Sequence, residues 1–215
     1  ELLRDEVGGR LTREQQDIVR IVRENTLSLQ KLIEDLLSWH QTKDVEPATV
    51  GPVDLSELVR RVLREQKLAA LGRMIAFETR LETAVVTGDA ERLRTVVDNL
   101  VSNAIKYSPR SGAIGVELRA RGGQAVLEVV DQGPGVPSAE RERVFESFYQ
   151  GAPPAEGRVK GSGLGLAIAR EYATAHGGRI EFIGVLTQGA DTNPWPLLRK
   201  TATLHGIYVG SRGMF

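Results

Sequence analysis

The chain of 215 residues contains no cysteine. That excludes a disulfide scaffold, a thiolate metal site and a cysteine nucleophile, and it suits a reducing compartment. No run of about 18 apolar residues occurs, so no segment reads as a membrane-spanning helix. Charge of one sign is not in excess either: 28 Lys and Arg stand against 28 Asp and Glu. No strong field for nucleic acid or an acidic membrane is implied. No signal peptide opens the chain, and residue 1 reads as the interior of something longer. Internal repeats and low-complexity tracts are missing too. What is present is a 41% hydrophobic content, enough for a core, and 23 glycines whose positions matter.

Three regions follow along the chain. In residues 1–46, the stretch 12–43 predicts one long helix. Apolar or seam positions run from Ile18, Ile21, Val22 and Asn25 through Leu29, Leu32, Ile33, Leu36 and Leu37, alternating threes and fours. Thr12 and Gln15 form a capping box, and Pro47 stops the helix. Glu1–Val7, halted by Gly8-Gly9, reads as the tail of a preceding helix, so the region predicts a helical hairpin with a shortened first arm. The long stripe predicts self-association. Residues 47–183 predict an α+β domain, a two-layer sandwich with helices on one face of a mixed sheet. Asp54 caps a helix to about Gln66, and Asp89 caps Ala90–Tyr107. Strands are expected over Met74–Glu82, Ala84–Thr87, Ile114–Arg119, Ala125–Val130 and Arg179–Gly184, with a hairpin at Gly122-Gly123 and a helix from Gly163 to His176. Residues 184–215 change character, with Leu204–Val209 as one more strand.

Three motifs carry chemistry. Asn99 and Asn103 lie four apart on one helix face, followed by Lys106 a turn later. An unpaired buried amide costs about 1–3 kcal/mol. A hard cation such as Mg²⁺, shared with water and phosphate oxygens, satisfies such a pair; solvated amides would too. Asp131-Gln132-Gly133-Pro134-Gly135 ends a strand in a carboxylate and a glycine turn. Such a carboxylate can accept from an exocyclic amine while glycine admits a flat ring; a plain turn has the same pattern. Lys160-Gly161-Ser162-Gly163-Leu164-Gly165 opens a helix, an arrangement whose free N–H groups suit an anion. It is neither a Walker A motif nor a dinucleotide fingerprint. Gln150–Val159 before it reads as a mobile lid, with Phe145, Phe148 and Tyr149 at its hinge and Phe145 expected in the core.

In that order, Asn-x-x-x-Asn, Asp-x-Gly-x-Gly, an aromatic hinge and Gly-x-Gly-x-Gly resemble the ATP-binding boxes of the GHKL superfamily, and within it a sensor histidine kinase. The resemblance covers about residues 1–183 and implies the Bergerat (GHKL) ATP-binding fold behind a dimerisation helix. It implies ATP or ADP as ligand with Mg²⁺ on Asn99 and Asn103, adenine on Asp131, and phosphates on Lys106 and the glycines around Ser162 and Leu164. Tyr107 packs by the nucleotide; Gly133 and Gly135 shape its pocket. Catalytic roles then fall to Asn99, Asn103 and Lys106. Hydrolysing relatives resemble one another in carrying Glu where Asn99 stands. An amide is no general base, which favours transfer over hydrolysis. The implied partners are a receiver domain of a response regulator and a second copy through helix 12–43, with no nucleic acid. The implied setting is cytoplasmic, within a membrane-anchored parent.

The family's phosphoacceptor His sits in a His-Glu-x-x-x-Pro setting that this chain lacks. His40, His176 and His205 do not replace it, so the chain is expected not to phosphorylate itself. His176 ends a helix, where a cationic ring is favoured. Residues 184–215 resemble a fragment of zinc-type alcohol dehydrogenases and quinone oxidoreductases, as in a chimera. Other readings are a non-catalytic nucleotide-binding or dimerisation module, an anti-sigma-type serine kinase, against which the long helix argues, and an oxidoreductase fragment with NADPH affinity.

Overall fold

A computed structural model describes residues 11–42, 50–121, 124–151, 161–178, 180–185, 201–205 and 209–210. The expected helical tail Glu1–Val7, the Gly122-Gly123 turn and Lys160 lie outside these residues, as does most of the expected lid. Helix α1 spans Arg13–Thr42. Its capping box forms as the sequence predicts: the Gln15 N–H donates to Thr12 Oγ1 at 3.2 Å, and the Thr12 N–H to Gln15 Oε1 at 2.9 Å. The described apolar positions of its stripe stay in solvent, with Ile21 53% and Leu29 59% exposed.

Beyond α1 come β1 (Gly51–Asp54), α2 (Leu55–Glu65), α3 (Lys67–Gly72), β2 (Ala76–Leu81), β3 (Val85–Gly88) and α4 (Ala90–Tyr107). Then follow β4 (Ala113–Arg121), β5 (Gln124–Asp131), two 3₁₀ turns, α5 (Gly165–Ala175), β6 (Glu181–Val185), β7 (Thr201–His205) and β8 (Val209–Gly210). β1 and β3 pair antiparallel as a small ribbon. The main sheet runs β2-β4-β5-β7-β6, with β8 also on β5. Only the β2–β4 pair is parallel; β4–β5, β5–β7 and β6–β7 are antiparallel, so the sheet is mixed as expected.

The core follows from the two periods. On β4, Ile114, Val116 and Leu118 are buried while their neighbours are less so, and Ala125, Leu127 and Val129 match them on β5. Val59 and Val62 of α2, Leu93 and Val97 of α4, and Ile168 of α5 cover that face. Full burial of such a side chain contributes about 1.5–3 kcal/mol. These helices are thereby seated on one sheet layer, the expected two-layer sandwich, and α4 and α5 pack against each other.

Four boundaries correct the sequence expectation. The strand predicted from Met74 starts at Ala76, because Met74 turns with φ 57°. The helix predicted from Gly163 starts at Gly165, because Gly163 has φ +72°, outside the helical region. The strand predicted over Arg179–Gly184 is Glu181–Val185. The strand predicted over Leu204–Val209 is Thr201–His205, inserted between β5 and β6, and only Val209–Gly210 of the rest is a described strand.

Candidate nucleotide site

Helix α4 is the common wall of the site. Asp89 caps it: its carboxylate accepts from the Glu91 and Arg92 N–H groups at 3.0 and 3.1 Å. At the other end Arg73 donates to the Ser108 carbonyl oxygen at 2.8 Å, occupying an acceptor that the helix leaves open. Sequence reading missed this arginine, since its partner is a backbone oxygen 35 positions away. Both ends are thus held, and the side chains between them have fixed origins.

All three motifs touch this wall. Asn99 is only 5% exposed, and a Cβ built on Gly165 would lie 2.6 Å from its Oδ1. Only glycine lets the first turn of α5 come that close. Asn103 lies one turn further on and is half-buried. The Lys106 ammonium stands against Gly161, where a Cβ would be 3.0 Å from Nζ. Tyr107, 42% exposed, meets the Asp131 turn through its backbone: a Cβ on Gly133 would lie 2.8 Å from the Tyr107 oxygen and 2.7 Å from Asp131 Oδ1. Asn99, Lys106 and Tyr107 span nine residues, or about 12 Å of helix.

Asp131 ends β5 with its carboxylate turned into this corner. The Gly133 N–H donates to Oδ1 at 2.6 Å, but burial outweighs that bond and pushes the carboxyl up to about 6. Above about pH 6 this acid is ionised and suited to accepting from a hydrogen-bond donor outside the chain. The turn is pinned further by Gln132, whose Oε1 accepts from the Ala113 N–H at 3.1 Å. Gly135 takes φ +72°, a left-handed conformation that favours glycine.

The glycine loop is built from backbone contacts. The Phe148 N–H donates to the Gly163 oxygen at 2.9 Å, and Gln150 Nε2 donates to the Gly161 oxygen at 2.7 Å. The two flanks of segment 151–160 are therefore stapled together. A Cβ on Gly163 would sit 2.6 Å from the Phe148 carbonyl carbon. Phe148 itself has φ 66° and is 61% exposed, whereas Phe145 is buried as expected. Arg170 of α5 donates to the Phe145 oxygen at 3.2 Å and stacks over its ring at 4.9 Å. The Ser162 hydroxyl accepts from the Leu164 N–H at 3.2 Å. Leu164, at the N-cap of α5, supplies no side-chain cap, so the helix presents its first amides outward.

His176 corrects the expectation of a cation. Its Nδ1 lies 2.6 Å from the Tyr172 carbonyl oxygen, which can only accept, and its Nε2 accepts from the Asp89 N–H at 2.9 Å. Both bonds require the neutral ring with the proton on Nδ1. The side chains of His40 and His205 lie outside the described set. Among the described residues no group of three or more His, Asp and Glu is placed to hold a metal, and no helix is long and apolar enough to cross a membrane.

Sensor histidine kinase QseE of Escherichia coli O157:H7 is 37% identical over 171 residues, covering 80% of this chain and 36% of that protein. The chain thus spans about a third of the length of such curated relatives. The crystal structure of full-length ShkA in complex with AMPPNP superposes with a TM-score of 0.71 at 26% identity, over 97% of this chain and 42% of that one. The mycobacterial sensor histidine kinase MprB gives a TM-score of 0.60 at 34% identity, over 77% of this chain and 100% of that one. A family model described as "Histidine kinase-, DNA gyrase B-, and HSP90-like ATPase" matches residues 88–200, more than half of the chain, and the chain belongs to that family.

Proposed function

We propose that this chain is the ATP-binding catalytic region of a two-component sensor histidine kinase, and that it transfers the γ-phosphoryl group of ATP to a histidine. The observation that carries the reading is the convergence on α4, where Asn99 meets Gly165, Lys106 meets Gly161 and Tyr107 meets Gly133. One helix joins a carboxamide pair, a cation and a half-buried carboxylate to an open helix start. That donor set fits a purine triphosphate.

Asp131 accepts from the exocyclic amine of adenine, and Gly133 and Gly135 let the ring approach. Tyr107 flanks the nucleotide. Lys106 neutralises phosphate charge together with the amides of Gly161, Ser162, Gly163 and Gly165, while Leu164, whose N–H donates to the Ser162 hydroxyl, sets the start of α5. Lys160, next to this loop in sequence, is assigned the same task. Mg²⁺ fits the remaining donors: Asn99 has a nearly buried carboxamide, hard-oxygen ligands suit that ion, and phosphate oxygens complete its shell. Bound there by Asn99 and Asn103, it would offset charge on the transferring group. In the transfer, a histidine nitrogen forms the bond to phosphorus as the bond to the ADP oxygen breaks. No carboxylate stands at position 99 to activate water, so hydrolysis is disfavoured. An aspartate of a response regulator receiver domain then takes the phosphoryl group. The exposed stripe of α1 supports a homodimer, and we assign the domain to the cytoplasmic side of a membrane-anchored parent. The tail after residue 183 contributes β7 and β8 to this sheet, both paired with β5, and we assign its dehydrogenase-like fragment no catalytic part.

The test supplies the chain with labelled ATP, a histidine-bearing kinase hairpin in trans and a receiver domain. Acid-labile label on the hairpin, then on the receiver, is expected. AMPPNP binding without any transfer would instead support a non-catalytic module.

A further inference from the structure

Helices α4 and α5 are antiparallel neighbours joined at two places. At one, Asn99 meets Gly165 inside the candidate site. At the other, His176 bridges the C-terminus of α5 to the N-terminus of α4. The two lie 11 residues apart on the α5 segment, about 16 Å. The second contact is tightly built. A Cβ on Gly88 would fall 2.6 Å from the His176 ring, so glycine is needed there for the imidazole to reach the Asp89 N–H. That N–H belongs to the cap residue of α4, whose carboxylate is already engaged by two amides. Arg92 reinforces the seam, with its guanidinium 5.3 Å over the Tyr172 ring and its Nε 3.8 Å from Asp89 Oδ2.

We propose that His176 is a positioning residue for nucleotide binding: its neutral ring clasps α5 to α4 and so holds the glycine loop in register with Asn99, Asn103 and Lys106. The inference rests on the nucleotide reading above and extends it to a residue that touches no ligand. Protonation opposes the clasp directly, because an Nε2–H would face the Asp89 N–H, donor against donor. Among the described residues, the charged and titratable groups at this seam include Asp89 and Arg92 from α4 and Tyr172 from α5. The Asp89 carboxylate is balanced by Arg92 and by the cap amides, so it does not substitute for the lost acceptor.

Linkage makes this testable in the unaltered chain. If a proton on His176 weakens nucleotide binding, then nucleotide must weaken proton binding. The His176 ring is followed by nitrogen-detected NMR from about pH 8 to about pH 5.5, the span in which an imidazole changes charge, with and without AMPPNP and magnesium. The expected result is a midpoint displaced to lower pH by AMPPNP. Simple attraction to a bound polyanion would displace it upward, so the sign separates the two. In parallel, His176→Phe is expected to bind AMPPNP roughly five- to tenfold more weakly, the scale of ordinary coupling. His176→Gln, whose Oε1 can accept from the Asp89 N–H, is expected to restore binding to within about twofold; it and the titration carry the test if the Phe variant does not fold. A midpoint that stays or rises, or a folded Phe variant that binds like the parent, overturns the clasp while leaving the nucleotide reading intact. Failure of the parent chain to bind AMPPNP overturns both.

Discussion

The two helices that frame the site begin in opposite ways. α4 starts with its amides closed by its own residue, the Asp89 carboxylate. α5 starts at Leu164, which contributes no side-chain cap. A free helix start carries a partial positive charge and unsatisfied donors. One helix has spent that feature on its own stability; the other keeps it for an anion from outside. The walls differ in kind as well. α4 offers side chains with carboxamide and ammonium heads, whereas the loop before α5 offers glycine backbone zipped to Phe148 and Gln150. Substitutions on the first wall should therefore delete a contact, and substitutions on the second should distort a surface.

The largest effect is expected on the backbone wall. Gly163→Ala must hold φ +72° and place a Cβ 2.6 Å from the Phe148 carbonyl carbon. The left-handed conformation alone costs about 1–2 kcal/mol. AMPPNP affinity should fall by roughly tenfold or more, read by calorimetric titration. Equal affinity would mean that this loop does not touch the ligand.

Next is Asp131→Asn, which divides binding from stability. The folded carboxyl is raised from 3.8 to about 6 by burial. The empty fold is therefore favoured below about pH 4 and loses stability as pH rises through 6. At neutral pH the penalty is on the order of 3 kcal/mol. The amide is isosteric and keeps the bond from the Gly133 N–H. The variant should melt several degrees higher at pH 7 than the parent and yet bind AMPPNP poorly. For the parent, affinity should fall as pH drops below about 6, where the acceptor gains a proton. A lower melting point would place the carboxylate in a stabilising network instead.

The contrast between helix starts is sharpened by moving a cap. Ser162→Asp sets a carboxylate where the hydroxyl now accepts from the Leu164 N–H. It should leave the melting temperature unchanged or slightly raised, by about 0.3–1 kcal/mol, while repelling phosphate and weakening AMPPNP. The reciprocal change, Asp89→Ala, should cost about 1 kcal/mol in a thermal melt. Its effect on AMPPNP should be the smallest of the four, because the removed carboxylate faces the far end of α4.

Much of this was legible before any coordinates. α4 has the bounds that the Asp89 cap and the apolar period predict, and the Thr12–Gln15 box forms as written. Local signals sufficed there because the deciding contacts lie within four residues. What escaped was set elsewhere. β1 is four residues containing Gly51 and Pro52, too short and too broken to show a period, and it exists through its pairing with β3. α3 follows α2 with no stop residue between them, since Gln66 ends one helix and begins the other. Arg73 and His176 act on backbone atoms far along the chain, which no spacing rule can find. Of the site residues, the sequence placed Asn99, Lys106 and the glycines on their elements. The distances that join them depend on how α4 and α5 pack.

The most direct trial of the account is an equilibrium titration of the full chain, with magnesium, against AMPPNP and separately against NADPH. Saturable, stoichiometric binding of AMPPNP that Asp131→Asn and Gly163→Ala both weaken, with no binding of NADPH, is the expected result. Binding of NADPH without AMPPNP, or AMPPNP binding indifferent to both substitutions, would contradict it.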